Sequence, residues 1–181
     1  GLRRIREAPV VHLVLIGLPG AGKSTVGRLL AERLGTHWTD IDPLLERATG
    51  QTVGELFESE GEPAFRVREH RAVVEALRLP PHVISPGGGW AVQPGNLASV
   101  GGHAFVVHLA VDPDEAAARL ADDRARPLLA GGDRRARLAS LARERLPWYR
   151  QAQAEIDVTG VAADAVADTL LGLARARAGG P

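Results

Sequence analysis

Residues Val10–Ser24, VVHLVLIGLPGAGKS, decide how the rest of the chain is read. Val10–Ile16 is a near-continuous run of β-branched and aliphatic side chains, the pattern of a strand buried on both faces. The turn after it, Gly17–Ser24, satisfies G-x-x-x-x-G-K-[ST], whose glycines let backbone N–H groups turn inward around phosphate oxygens. Val26, Leu29, Leu30 and Leu34 then recur at helical spacing until Gly35 stops them. A helix starting at the turn adds its positive dipole end, and Ser24 can ligate Mg²⁺. Lys23 reaches the β- and γ-phosphates as a compact point charge, a task a planar guanidinium performs differently. A plain turn between strand and helix would need no lysine. Gly20, Ala21, Gly22, Lys23, Ser24 and Thr25 are therefore read as a nucleoside-triphosphate phosphate site.

Outward from that stretch, strands and helices alternate. A short strand is expected around His37–Thr39, helical pieces at Pro43–Ala48 and Val53–Glu60, and a longer helix over Pro63–Leu79, punctuated by Pro80 and Pro81. Val83–Ser85 is a brief strand, and His103–Ala110 another buried one. Asp112 and Pro113 start a helix as N-cap and first-turn proline. Helices over Arg134–Gln153 and Ala163–Arg177 flank a last strand at Glu155–Val158. The expectation is an α/β, three-layer sandwich: a central five-stranded parallel sheet with helices on both faces. No repeat or linker splits the chain, so residues 10–178 are read as one domain and 1–9 as an N-terminal extension. Met is absent even at position 1, so the start is read as processed or cut from something longer.

Composition narrows the function. The chain has 181 residues, 45% of them hydrophobic, enough to bury a core. Basic and acidic residues both total 22, which argues against a broad electrostatic footprint for nucleic acid or an anionic membrane. No apolar run approaches a membrane span, and the start does not read as a signal peptide. The expectation is a soluble, cytoplasmic, monomeric protein. With no Cys, disulfides, zinc-thiolate sites and cysteine nucleophiles are excluded. Of the 22 basic residues, 21 are Arg and one, Lys23, is Lys. The six histidines lack metal-ligand spacing and are read as surface or satisfied core positions. Arg134, Arg135 and Arg137 are read as a solvated helix face.

Three further groups carry chemistry. Asp40 and Asp42 follow the second strand, where a parallel sheet presents ligands. If extended geometry persists, they point to one side, one toward a metal's water shell and the other toward a substrate hydroxyl. The alternative is that Asp42, before Pro43, merely caps a helix. Arg66 and Glu69 are i,i+3 neighbours, so Glu69 can fix the Arg66 fork for a planar carboxylate; an ordinary surface ion pair is the alternative. Gly87, Gly88 and Gly89 allow main chain to approach a ligand closely, unless they form a plain loop.

In order and spacing, GLPGAGKST, Asp40 with Asp42, FRVRE at Phe65–Glu69, the glycine run, Arg126-Pro-Leu-Leu129 and Arg145-Leu-Pro-Trp-Tyr149 resemble shikimate kinase, a nucleoside-monophosphate-kinase-like P-loop family. The resemblance covers about residues 11–172. It implies a P-loop kinase fold with a mobile lid at about 119–133, and transfer of the γ-phosphate of ATP to the 3-hydroxyl of shikimate with Mg²⁺. Position by position, it implies that Asp42 contacts the substrate hydroxyls, as base or as orienting group, and that Asp40 lies near Mg²⁺ with Ser24 as direct ligand. Arg66 and Arg145 would hold the shikimate carboxylate, and Gly88 would contact the substrate through its N–H. Arg126 would meet the transferring phosphate with Lys23, and Arg119 would lie against adenine.

The chain departs from the family in places. Family members often carry an Arg and a Pro after the last strand, lining the adenine pocket. Here the stretch is Thr159-Gly-Val-Ala-Ala-Asp164, and no base-binding residue is assigned in it. Trp90 after the glycine run is bulkier than expected and either walls the substrate pocket or packs in the core. Trp148 and Tyr149 are read as core. Two other functions stay open: a kinase of a different polyol or hydroxy acid, and a non-catalytic kinase-like sensor.

Overall fold

The computed structural model describes residues 9–121 and 132–178. Five strands, β1 (His12–Ile16), β2 (Trp38–Asp40), β3 (Val83–Ser85), β4 (Ala104–Ala110) and β5 (Ala154–Asp157), form one sheet in the order β2-β3-β1-β4-β5. Every pairing is parallel. Helices α1 (Lys23–Leu34), α2 (Ile41–Thr49), α3 (Val53–Glu60), α4 (Glu62–Ala76), α5 (Asn96–Val100), α6 (Pro113–Arg119), α7 (Arg134–Tyr149) and α8 (Ala163–Ala178) connect and cover it.

Two-residue periodicity divides the strands between two hydrophobic layers. From β1, Val14 and Ile16 face the layer of Leu56, Phe65 and Leu138, whereas Leu13 and Leu15 face that of Leu30, Val166 and Leu170. From β4, Val106 joins the first layer, and Phe105, Val107 and Leu109 the second. Both faces being covered, the strands read as continuous apolar runs. The three-layer α/β architecture is the one expected.

Several boundaries differ, each for a physical reason. The first strand begins at His12, because Val10 is 65% exposed and has left the sheet. Helix α2 starts at Ile41, so Asp42 lies in its first turn and the N-cap position falls to Asp40, which makes no side-chain capping bond. The extended geometry thus stops at Asp40, and Asp42 is not a helix cap. Helix α7 ends at Tyr149, four residues short of Gln153, after accommodating Pro147 near its end. The five-residue α5 was not expected; a helix that short shows no apolar period. Asp112 caps α6 as anticipated, accepting from the N–H groups of Asp114 and Glu115.

Chain order places the sheet's switch point at β1, from which the path runs first to the edge strand β2 and back to β3, and then to β4 and β5 on the other side. Ligands of such sheets sit outside the strand carboxyl ends at that point. The glycine-rich turn leaves β1 there. At the opposite end, the buried rings of His12 and His82 meet edge to face at 4.9 Å. Burial holds both below the usual histidine range. They are core positions, as expected.

Candidate active site

A cavity of about 440 Å³ opens at the carboxyl ends of the strands. Gly20, Ala21, Gly22, Lys23, Ser24 and Thr25 line one side, Asp40, Asp42, Gly87 and Gly88 another, and Arg119 closes toward the end of β5. The residues expected to bind a nucleotide and those expected to orient an acceptor thus border one volume.

The phosphate loop is held by close approaches that no side chain would permit. A Cβ on Gly20, which has φ +84°, would lie 2.6 Å from the Ala116 carbonyl oxygen. The loop therefore rests directly on α6. Lys23, 8% exposed, donates from Nζ to the carbonyls of Gly17 at 2.9 Å and Leu18 at 2.8 Å. Ser85, at the end of β3, donates to the Lys23 carbonyl at 3.2 Å and accepts from Trp38 Nε1 at 3.1 Å. Two strands thereby pin the start of α1, a supporting role with no signal in the motif itself. Ser24 and Thr25 stay exposed at the helix N-terminus.

Each glycine of the run faces a different charged group. A Cβ on Gly87 would collide with Glu69 and come within 2.9 Å of Asp42 Oδ1. On Gly88 it would stand 3.1 Å from Arg145 Nη1, and on Gly89 2.6 Å from Arg66 Cζ. The run is therefore no plain loop. It is the surface against which two carboxylates and two guanidinium groups converge from α2, α4 and α7.

Arg66 and Glu69 are not a surface pair either. Glu69 is fully buried and Arg66 only 9% exposed, and Nη1 meets Oε2 at 2.7 Å. Glu62 holds the other edge of the fork, accepting from Nε at 3.2 Å and Nη2 at 3.0 Å. Burial tends to lower the Arg66 pKa, but Glu69 and Glu62 outweigh it and raise it. Arg145 is 6% exposed, and its Nη1 is buried without a hydrogen-bond acceptor among the described residues. A guanidinium N–H withdrawn from water and left without an acceptor is a site for an anion.

Burial pushes the Glu69 carboxyl up; Arg66 opposes this and the Asp42 charge adds to it, so the pKa reaches about 7. A folded pKa above the ordinary 4.5 means that Glu69 contributes stability below 4.5, lost as pH rises through about 7. Glu69→Gln removes that loss. Its thermal midpoint, relative to the unaltered protein, should rise between pH values of about 5 and 8. A constant difference would mean that Glu69 is ionised throughout.

Other expected positions divide. Arg119 donates to Gly20 O at 3.3 Å and Val158 O at 3.1 Å and pairs with Glu115. It bridges the phosphate loop to the exit of β5. Arg126 and Arg124, with most of the expected lid at 119–133, lie outside the described residues. Trp90 is fully buried in the first layer, where it stacks with His70, and does not line the cavity. Tyr149 is buried as expected, and Trp148 half-buried. Val158, Val161, Ala163 and Val166 form an apolar end of the cavity. Nothing is assigned at 159–164 from the sequence, because a wall of small aliphatic groups carries no motif.

The sequence profile of the shikimate kinase family matches residues 19–174. The chain belongs to the shikimate kinase family. It is 51% identical over 137 residues to the shikimate kinase of Thermobifida fusca, covering 76% of this chain and 78% of that one. With the shikimate kinase of Gloeobacter violaceus it shares 42% over 165 residues, 91% and 93% of the two chains. Among solved structures, the shikimate kinase from Acinetobacter baumannii in complex with shikimate superposes with a TM-score of 0.88. The two are 36% identical, with 94% of each chain covered. Family membership agrees with the resemblance on which the site assignments rest.

Proposed function

We propose that this chain transfers the γ-phosphate of ATP to the 3-hydroxyl of shikimate, giving ADP and shikimate 3-phosphate. The observation that carries this reading is the buried Arg145 Nη1 without an acceptor among the described residues, which shares one glycine run with Arg66 and Asp42 beside the phosphate loop. Shikimate offers one carboxylate and three hydroxyls, which suits two arginines, an Asp and backbone donors.

In this reading the backbone of Gly20–Gly22 and the start of α1 hold the ATP phosphates, with Thr25 beside them. Adenine lies against Val158, Val161 and Ala163, while Arg119 keeps that wall joined to the loop. Arg66 and Arg145 take the substrate carboxylate, and Gly88 contacts the substrate through its N–H. Asp42 orients the attacking hydroxyl and accepts its proton. Lys23 swings from its two loop carbonyls to the γ-phosphate. Arg126, assigned by family resemblance alone, is the second cation there, and 119–133 is the lid. Phosphoryl transfer needs little covalent help, so position and charge supply the catalysis.

The donor set also suits Mg²⁺. The Ser24 hydroxyl and the Asp40 carboxylate border the cavity, and among the described residues no three His, Asp or Glu side chains form a cage. An ion there must keep phosphate oxygens and waters as ligands, the habit of Mg²⁺. Held there by Ser24 and Asp40 together with ATP, it would supply charge that neutralises the phosphates. We also infer a cytoplasmic monomer; among the described residues no helix is long and apolar enough to cross a membrane.

The deciding experiment is ADP release from ATP and Mg²⁺. It should depend on shikimate; turnover with gluconate or another polyol instead would overturn the substrate assignment. Gly89→Ala tests the carboxylate clamp. Its methyl would displace the Arg66 guanidinium, so KM for shikimate should rise about 10–100-fold, as expected for one lost charge-assisted bond. KM for ATP should be unchanged.

A further inference from the structure

Helix α7 carries two side chains toward the glycine run. Arg145 and Tyr149 are i,i+4 neighbours on one face. Tyr149 is 2% exposed, and its hydroxyl donates to the Gly88 carbonyl at 2.9 Å. Burial raises its pKa, against the opposing effect of the nearby Arg145 charge. The phenol therefore holds the backbone of Gly88, the same glycine that Arg145 Nη1 approaches from one turn earlier on the helix.

The ring is itself fixed. His108 stacks on it with centroids 4.6 Å apart and planes 28° from parallel. His108 Nδ1 lies 2.9 Å from Glu155 Oε2, and the two residues are direct cross-strand partners on β4 and β5. On its other side His108 pairs in register with Ile16, the last residue before the phosphate loop. A continuous path thus joins the sheet edge of that loop to Gly88, whose backbone has no side chain of its own to hold it.

Resting on the shikimate reading above, we propose that Tyr149, seated on His108, is a positioning residue for the carboxylate end of the substrate site. Its hydroxyl fixes the Gly88 carbonyl, and with it the glycine against which the Arg145 fork lies, in the geometry that shikimate meets. A phenyl ring would fill the same core space and keep the stack, so the hydroxyl's task separates from packing.

Tyr149→Phe is the test. Shikimate-dependent ADP release by the unaltered protein is measured first; its absence would overturn both this inference and the substrate reading. In the variant, KM for shikimate should rise about tenfold, with kcat and KM for ATP within about twofold. His108→Ala, which removes the stack but leaves the hydroxyl, should shift KM for shikimate in the same direction. A Tyr149→Phe protein that loses thermal stability but keeps KM for shikimate would overturn the proposal. So would equal rises in both KM values.

Discussion

Asp42→Asn is expected to lower kcat by about 10²–10⁴-fold, the range of a positioned acid or base, while ATP affinity stays within about twofold. The substitution keeps shape and volume and removes only the charge and basicity. Asp42 is a half-buried first-turn residue of α2, beside Gly87 and facing the cavity. A negative charge in that first turn is favoured by the helix dipole, so losing it should reduce stability by only about 0.3–1 kcal/mol. The folded protein should therefore survive the change and lose the chemistry. Shikimate-dependent ADP release gives the rate, and nucleotide titration gives the affinity. If ATP affinity falls together with turnover, Asp42 serves the metal or the scaffold, and the hydroxyl is oriented by something else.

Lys23→Arg should lower turnover by about 10²-fold or more, comparable to removing one preorganised donor from a transition-state site. The charge is retained, so geometry alone is tested. Lys23 occupies a space in which Nζ meets two carbonyls of its own loop, and it is 8% exposed. A guanidinium there is longer and planar, and it cannot present a compact charge to the γ-phosphate. Near-normal turnover would show that any cation at this position suffices. The lone Lys among 22 basic residues would then be a compositional accident.

The order of elements was legible because local patterns carry it. Among the described residues, alternating apolar runs and amphipathic stretches marked all five strands and seven of the eight α-helices, and the glycine–lysine turn located the nucleotide. Asp40, Asp42, Arg66 and Gly88 were legible as candidates because each sits at a strand exit or in a charged helical pair. Arg145 came from family resemblance alone. None of these signals distinguished a functional Arg66 from a surface pair, or an acceptor-facing Asp42 from a helix cap. Those alternatives differ in burial, which no local pattern records.

The sequence by itself determined the α/β class, the phosphate loop and the residue types available for a carboxylate and a hydroxyl. Tertiary structure decided which of them meet. Asp42, Arg66 and Arg145 lie on α2, α4 and α7, and only the strand order brings all three onto Gly87–Gly89. It also decided that the charged groups are buried, which turns an unremarkable ion pair into a fixed fork and leaves Arg145 Nη1 without an acceptor among the described residues. The aliphatic end of the cavity and the path from Glu155 through His108 and Tyr149 to Gly88 were likewise invisible beforehand. Contacts between residues 41 to 61 positions apart depend on sheet register, and register is a property of the whole fold.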